Sequence, residues 1–230
     1  EVPLPEREDP TTQAAADILA RSGATEGYCL VLGLDEGRLV EELLRQSELR
    51  VIAVDADSAK VNALRRRLTA AGFYGARAEV LAGKPFEILL PPYLANLIVS
   101  ENPGAAGFQP EAHATRLFSI LRPYGGTACL ELAADLRKRL VKAVESAELP
   151  GAKVEDAGRL LLLRREGPLP GSASWTHETA DSARSYFSKD QLVKAPTAPG
   201  TQSPCFRIIF QILQQLDGFL THRDALVQSV

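Results

Sequence analysis

The chain has 230 residues, of which 45% are hydrophobic and 24% charged, and its formal net charge is −3. This length and apolar content suffice for one sizeable buried core. The balanced charge lacks the clustered basic field of a nucleic-acid-binding protein, and no apolar run is as long as a membrane span. We therefore expect a soluble protein, cytoplasmic or periplasmic, that binds neither nucleic acid nor a membrane.

The N-terminal part of the chain predicts an extended arm followed by alternating helices and strands. Residues 1–10 hold three prolines and four acids, which is typical of an arm. The elements predicted next are a helix over 11–22, a strand over 28–32, a helix over 36–46, a strand over 51–54 and a helix from 57 or 58 to 71. The first of these strands is apolar throughout, as in strands that are covered on both faces.

The same alternation continues to residue 166. We predict strands over 77–81, 96–100 and 127–132, helices over 110–121 and 133–147, and a hairpin of strands 153–156 and 159–164. Strands that alternate with helices indicate parallel βαβ units. The predicted fold class is therefore α/β, a three-layer Rossmann-type domain over residues 11–166 with a mainly parallel sheet and an antiparallel terminal hairpin.

The composition changes after Glu166. Residues 167–204 are rich in Pro, Gly, Ser and Thr and predict a linker, and residues 205–230 predict a C-terminal amphipathic helix. Its apolar stripe consists of Phe206, Ile209, Phe210, Leu213, Leu216 and Leu220. Such a stripe requires a cover. We expect either a protein partner or self-association through residues 205–220, or packing of the helix on its own domain.

Two features indicate a ligand site at the carboxyl ends of the first two strands, where open parallel sheets bind ligands. Residues 33–37 join the first strand to its helix, and small residues there let backbone amides approach a ligand. Asp55 ends the second strand, 22 residues after Gly33. Its carboxylate can accept hydrogen bonds from both hydroxyls of a ribose. The pair predicts a nucleoside-type ligand.

The glycine spacing discriminates between two such ligands. A dinucleotide fingerprint requires glycine at 33, 35 and 38, but positions 35 and 38 are Asp35 and Arg38. The pattern for S-adenosylmethionine (SAM) requires glycine at 33, 35 and 37, and two of the three are present. SAM is favoured, and an NAD-dependent oxidoreductase is the weaker alternative.

Four runs of sequence carry a family resemblance. YCLVLGLDEGRLVEELL, VIAVDAD, ANLIVSE and LFSILRPYGGTACLEL resemble motifs of class I SAM-dependent methyltransferases, and the resemblance covers about residues 11–166. It implies SAM or its product S-adenosylhomocysteine (SAH) as the cofactor. The cofactor-binding residues it implies are Gly33, Leu34, Asp35 and Gly37 at the methionine end, Asp55 and Ala56 at the ribose, and Gly83 and Lys84 near the adenine. It places Glu101 near the reacting centre as the candidate catalytic residue.

The chain departs from the family pattern at three positions. Val31, Asp35 and Lys84 stand where the family has an acid, the middle glycine and an aspartate. Two hypotheses therefore remain open. One is a methyltransferase that acts on an unknown acceptor, and the other is an inactive pseudo-methyltransferase scaffold within a larger protein.

Residues 168–196 carry a second resemblance, to the lead-in of a quinoprotein-type (PQQ-like) β-propeller. Some bacterial proteins join such a propeller to a methyltransferase-like domain, so this likeness implies a bacterial source, and either a fragment of a longer protein or a tail that has acquired another role. Only about 60 residues follow Glu166, too few for the blades of a propeller.

The remaining polar and cysteine residues predict structural roles. Cys29 and Cys129 lie in apolar strands and are expected to be buried free thiols. We expect His113 to have a surface or structural role, and the run 65–67 to be a solvated helix face.

Overall fold

The computed structural model describes residues 4, 9–173 and 191–192, in which helices and strands alternate from Pro10 to Arg165. The helices are α1 (Pro10–Ser22), α2 (Arg38–Gln46), α3 (Ser58–Ala70), α4 (Pro110–Ile120) and α5 (Ala134–Ser146). The strands are β1 (Glu26–Leu32), β2 (Glu48–Asp55), β3 (Ala78–Ala82), β4 (Leu97–Val99), β5 (Gly126–Glu131), β6 (Ala152–Ala157) and β7 (Leu160–Arg165).

The strands form one sheet in the order β3-β2-β1-β4-β5-β7-β6. Strands β1 to β5 pair in parallel, whereas β7 is antiparallel to both β5 and β6. The α/β fold with a mainly parallel sheet and a terminal hairpin is thus confirmed. Because β2 and β4 flank β1 on opposite sides, the strand order reverses there, and open α/β sheets bind ligands at such a point.

Both faces of the sheet are buried, and β1 shows how one strand serves two cores. Cys29 and Val31 belong to the core beneath α1, α2 and α3, while Leu30 and Leu32 belong to the core beneath α4 and α5. Successive side chains of a strand point to opposite faces, so a fully apolar run satisfies both layers. The prediction of a doubly covered strand is confirmed.

The starts of two helices differ from the predicted positions because of their caps. Helix α1 begins at Pro10, since the Asp9 side chain accepts a hydrogen bond from the amide of Thr12 at 2.9 Å. Helix α2 begins at Arg38, since Gly37 adopts a left-handed conformation (φ 77°) and supplies no side-chain cap. The predicted start at 36 was two residues early.

The run 65–67 lies on an exposed helix face, as expected, since Arg66 and Arg67 are exposed and Arg65 is half-buried, but two of its side chains also make contacts with the protein. Arg65 donates from Nε to the carbonyl of Val80 at 2.9 Å. Arg67 donates to Glu41 and to the carbonyl of Glu36, each at 2.5 Å. Two of the three arginines therefore attach α3 to its neighbours, because a long side chain can carry its charge back over the protein surface.

The chain divides into two units, residues 1–168 and 169–230. In the second unit, the amide of Gln191 donates to the carbonyl of Gly171 at 2.8 Å. The predicted helix over 205–230 and most of the predicted linker lie outside the described residues.

In the described part of the chain, every helix is too short or too polar to cross a bilayer, and His, Cys, Asp and Glu do not gather into a group of three or more that could hold a metal ion. Cys29 and Cys129 are buried free thiols, as predicted. Burial is the main reason that the pKa of both thiols lies above the usual range.

Candidate functional site

The glycine loop, residues 33–37, leaves β1 at the carboxyl end of the sheet. Gly33 and Gly37 both have positive φ angles, 81° and 77°, which glycine adopts without strain. The Leu34 side chain is buried in the core, and the carbonyl of Leu34 accepts a 2.7 Å hydrogen bond from Nζ of Lys60. Lys60 of α3 thus holds the loop, and Arg67 of the same helix also holds it through its hydrogen bond to the carbonyl of Glu36.

Asp55 connects the ends of β1 and β2. Its Oδ2 accepts from the amide of Leu34 at 2.6 Å, and its Oδ1 accepts from the amide of Asp57 at 2.7 Å. The residue is only 8% exposed. The carboxylate therefore fixes the glycine loop against the start of α3 and presents little surface to solvent. Its predicted contact with a ribose stays a prediction.

Glu101, just beyond β4, caps the start of α2. Its Oε2 accepts from the amides of Asp35 and Gly37, the latter at 3.2 Å, and its Oε1 accepts from the amide of Leu39 at 2.9 Å. Burial raises the pKa of this carboxyl above its ordinary value, while the three amide bonds act in the opposite direction. A helix N-terminus favours an anion, and here a side chain of the same chain supplies it. The catalytic role predicted for Glu101 stays a prediction.

The β4 loop, which we define as residues 100–109, closes over Gly33. A β-carbon added to Gly33 would overlap Cβ of Ala106 and would lie 3.7 Å from Oγ of Ser100. Ser100 is 7% exposed, and its hydroxyl has no hydrogen-bond partner among the described residues. Ala106 therefore occupies the space above the first glycine of the loop, next to an unsatisfied hydroxyl.

An aromatic cluster holds the far end of the β4 loop. Phe108 packs against Phe86 with ring centroids 5.0 Å apart, and His113 stacks on Phe86 at 5.3 Å. Nδ1 of His113 accepts from the amide of Gln109 at 3.0 Å. Burial, helped by the nearby Arg116 charge, lowers the pKa of His113. His113 thus has the structural role that was expected.

The remaining predicted cofactor residues lie beyond β2 and β3. The amide of Gly83 donates to the carbonyl of Asp55 at 2.9 Å, and a β-carbon on Gly83 would meet open space. Ala56 is exposed, and Lys84 is paired with Glu87 at 3.0 Å. Hydrogen bonds therefore join the ends of β1, β2, β3 and β4 at one edge.

Three residues that shape this edge were not predicted from the sequence. They are Lys60, Ser100 and Ala106. Ser100 lies directly before Glu101 in the run ANLIVSE, and Ala106 lies five residues after Glu101. Both are ordinary small residues, and no spacing pattern distinguishes them. Only the fold brings them to the glycine loop.

The protein was compared with family models, curated proteins and solved structures. No family model and no curated protein matches it. A protein from Methanococcus maripaludis, proposed to be a SAM-dependent methyltransferase, superposes with a TM-score of 0.59 at 16% identity, over 68% of this chain and 84% of the other. A SAM-dependent methyltransferase from Aquifex aeolicus gives 0.52 at 17% identity, over 68% and 93%. Geranyl diphosphate methyltransferase in complex with SAM gives 0.52 at 10% identity, over 66% and 84%.

At these identities the likeness concerns the fold alone. The chain therefore has the Rossmann-like α/β fold of its structural neighbours, several of which are named as SAM-dependent methyltransferases.

Proposed function

We propose that this domain binds SAM at the carboxyl ends of β1, β2 and β4. The observation that carries the proposal is the cluster of bonds around the glycine loop. Asp55 lies at one side of the loop, and at the other side the amides of residues 35, 37 and 39 already hold a carboxylate. These are the two kinds of group that recognise the ribose and the carboxylate of such a ligand.

The polar groups of this edge fit the cofactor, but side chains of the same domain fill the space that the cofactor would need. Each oxygen of Asp55 accepts one amide hydrogen bond and has a second lone pair for a hydroxyl. Gly33 and Gly37, both left-handed, leave the two ends of the loop without side chains. Glu101 and Ala106, however, occupy the N-terminus of α2 and the space above Gly33. Binding of the methionine end of SAM therefore requires the β4 loop to move.

The finer activity we propose is transfer of the methyl group of SAM to an acceptor. The side chains of this edge would contribute by positioning the cofactor and excluding water rather than by acid–base chemistry. Bound SAM supplies the methyl group. Movement of the β4 loop would serve both cofactor and acceptor, because this loop covers the glycine loop from above.

Calorimetric titration of the full chain with SAM, with NAD as the comparison ligand, tests the proposal. We expect SAM to bind and NAD not to bind. Asp55→Asn should weaken SAM binding by about tenfold or more, because a charged acceptor for the ribose becomes neutral. Asp57→Asn is the matched control, since Asp57 is exposed and only caps α3 through the amide of Ala59 at 2.8 Å. Its affinity should stay within about twofold, because asparagine also caps helices.

A second candidate function is a non-catalytic scaffold with the methyltransferase fold. The observation that favours it is the filled edge, where Glu101 and Ala106 take the positions that a ligand would need. If neither the wild-type chain nor a variant lacking the Glu101 carboxylate binds SAM, the scaffold replaces the enzyme as the conclusion.

The resemblance of residues 168–196 to a propeller lead-in supports a further proposal, that the domain functions within a longer bacterial protein. Most of these residues lie outside the described part of the chain. The coding sequence downstream of Val230 tests it. Repeated four-stranded blade motifs would support the proposal, and a stop codon would contradict it.

A further inference from the structure

The start of α2 carries an unusual cap. Helix N-termini are normally capped by Ser, Thr, Asp or Asn at the N-cap position itself. Here the N-cap is Gly37, which has no side chain, and the cap is Glu101, 64 residues later in the chain. Its two oxygens accept from three amides of residues 35–39. An intramolecular carboxylate thus fills an anion site that the helix would otherwise offer to a ligand.

A second, independent observation points to a ligand at the same place. The hydroxyl of Ser100 is buried, with the residue 7% exposed, and is unpartnered among the described residues. It lies beside Gly33, directly before Glu101 in the chain. A buried hydroxyl without a partner costs free energy unless another group satisfies it. Glu101 and Ser100 are both on the β4 loop, so a single movement of that loop would change both.

We propose that Glu101 is a built-in competitor for the carboxylate of the ligand. In the closed state its carboxylate occupies the amides of residues 35, 37 and 39, and Ala106 covers Gly33. When a nucleoside that carries an α-amino-acid carboxylate binds, its carboxylate replaces that of Glu101 on these amides and the β4 loop moves off the glycine loop. This inference rests on the proposed SAM site and adds that the site is closed by its own side chain.

The exchange is specific in its chemistry. One carboxylate replaces another, so the three amides still bind a single negative charge while Glu101 moves to solvent. A nucleoside without a carboxylate leaves the amides to Glu101 and gains nothing when this side chain is removed. The site therefore discriminates ligands by their carboxylate, which provides a test that general loosening of the loop would not satisfy.

The experiment uses the full chain and two ligands, SAH and 5′-methylthioadenosine, which has the same nucleoside and thioether but no amino-acid group. Their affinities are measured by calorimetry for the wild type, Glu101→Ala and Glu101→Gln. We expect Glu101→Ala to bind SAH about tenfold or more tightly than the wild type does, because the competitor is gone. Affinity for 5′-methylthioadenosine should stay within about twofold. Glu101→Gln should give a smaller gain for SAH, since its amide oxygen still accepts but carries no charge.

The test has one control variant and one fallback variant. Glu155→Gln makes the same charge change on the edge strand β6 and should leave both affinities unchanged. If Glu101→Ala fails to fold, Glu101→Gln decides the test, because it keeps an oxygen for the amides. SAH binding that is unchanged or weaker in the variants, or a gain that is equal for both ligands, overturns the inference while wild-type binding of SAH preserves the proposed function. No binding of either ligand to any of the three proteins overturns the proposed function itself.

Discussion

Backbone conformation and side-chain packing both require glycine at the position of Gly33. Its φ angle of 81° is left-handed, and a β-carbon there would overlap Ala106. We expect Gly33→Ala to lower the free energy of unfolding by about 3 kcal/mol, of which about 1 comes from the backbone and the rest from overpacking. Urea denaturation measures the change.

Gly75→Ala is the control for the backbone part, since Gly75 has φ 77° and open space around its Cα. It should cost about 1 kcal/mol. In an Ala106→Gly background, the cost of Gly33→Ala should fall towards that value. Equal costs for the two glycines in the wild-type background would show that Ala106 does not press on the glycine loop.

His113 makes stability depend on pH. The native state favours the neutral imidazole, because burial lowers the pKa below its usual 6.5 and Nδ1 must accept the amide of Gln109. The unfolded chain therefore binds the extra proton more readily, and the free energy of unfolding should fall as pH drops below 6.5. Denaturation curves between pH 5 and 7.5 test this. In His113→Asn, whose amide oxygen can replace Nδ1, this part of the slope should disappear, and an unaltered slope would remove His113 as its source.

At the scale of the element, α2 is defined by charge as much as by apolar packing. Its Leu39, Val40, Leu43 and Leu44 are buried as predicted, but so are Glu41 and Glu42, at 3% and 1% exposure. Glu42 accepts from Arg38 at 3.0 Å and from Arg45 at 2.6 Å. Burial raises the pKa of Glu42, but hydrogen bonds from Arg45 and Gln46 outweigh it, and the pKa lies below its ordinary value. Ionised Glu42 therefore stabilises the fold above about pH 4.5 and loses this effect in acid.

Glu42→Gln should accordingly cost about 3 kcal/mol at pH 7, because Arg38 and Arg45 lose the buried anion that they bind, and clearly less at pH 3.5. Urea denaturation at the two pH values measures both. Glu145→Gln on α5 is the control, since its exposed side chain should make either cost negligible. A cost for Glu42→Gln that does not change with pH would contradict an ionic role.

Helix α2 and the β4 loop show which features of this fold can be predicted from the sequence alone. Every strand of the described residues was predicted, the first from its fully apolar run 28–32 and the last two from the hairpin pattern around Ala157 and Gly158. The burial of Glu41 and Glu42 was missed, since charged residues beside an apolar stripe look like a solvent-facing surface until their partners are known. The contacts of Glu101 and Ala106 were missed for another reason. They join segments more than 60 residues apart through an irregular loop, and no periodicity encodes such a meeting.

At the scale of the whole molecule, both cores lie within the first unit. Their buried members extend from Ala15 to Leu163, and this unit ends at Pro168. We expect a chain ending at residue 168 to unfold in one cooperative thermal transition, with a midpoint within about 3 °C of that of the full chain. Circular dichroism measures the midpoint. A broad or much lower transition would mean that residues 169–230 contribute to the stability of the sheet.

The position of β7 in the sheet affects how the domain folds during translation. Among the strands of the described residues this one is the last to be synthesised, yet it lies between β5 and β6. A nascent chain cannot attach β6 until β7 has left the ribosome, and until then β5 is an outer strand with unpaired backbone groups. Premature termination or a long pause before residue 165 would leave that strand open to pairing with another nascent chain. The hairpin of β6 and β7 therefore covers the open edge of β5, and it can do so only when the domain is almost fully translated.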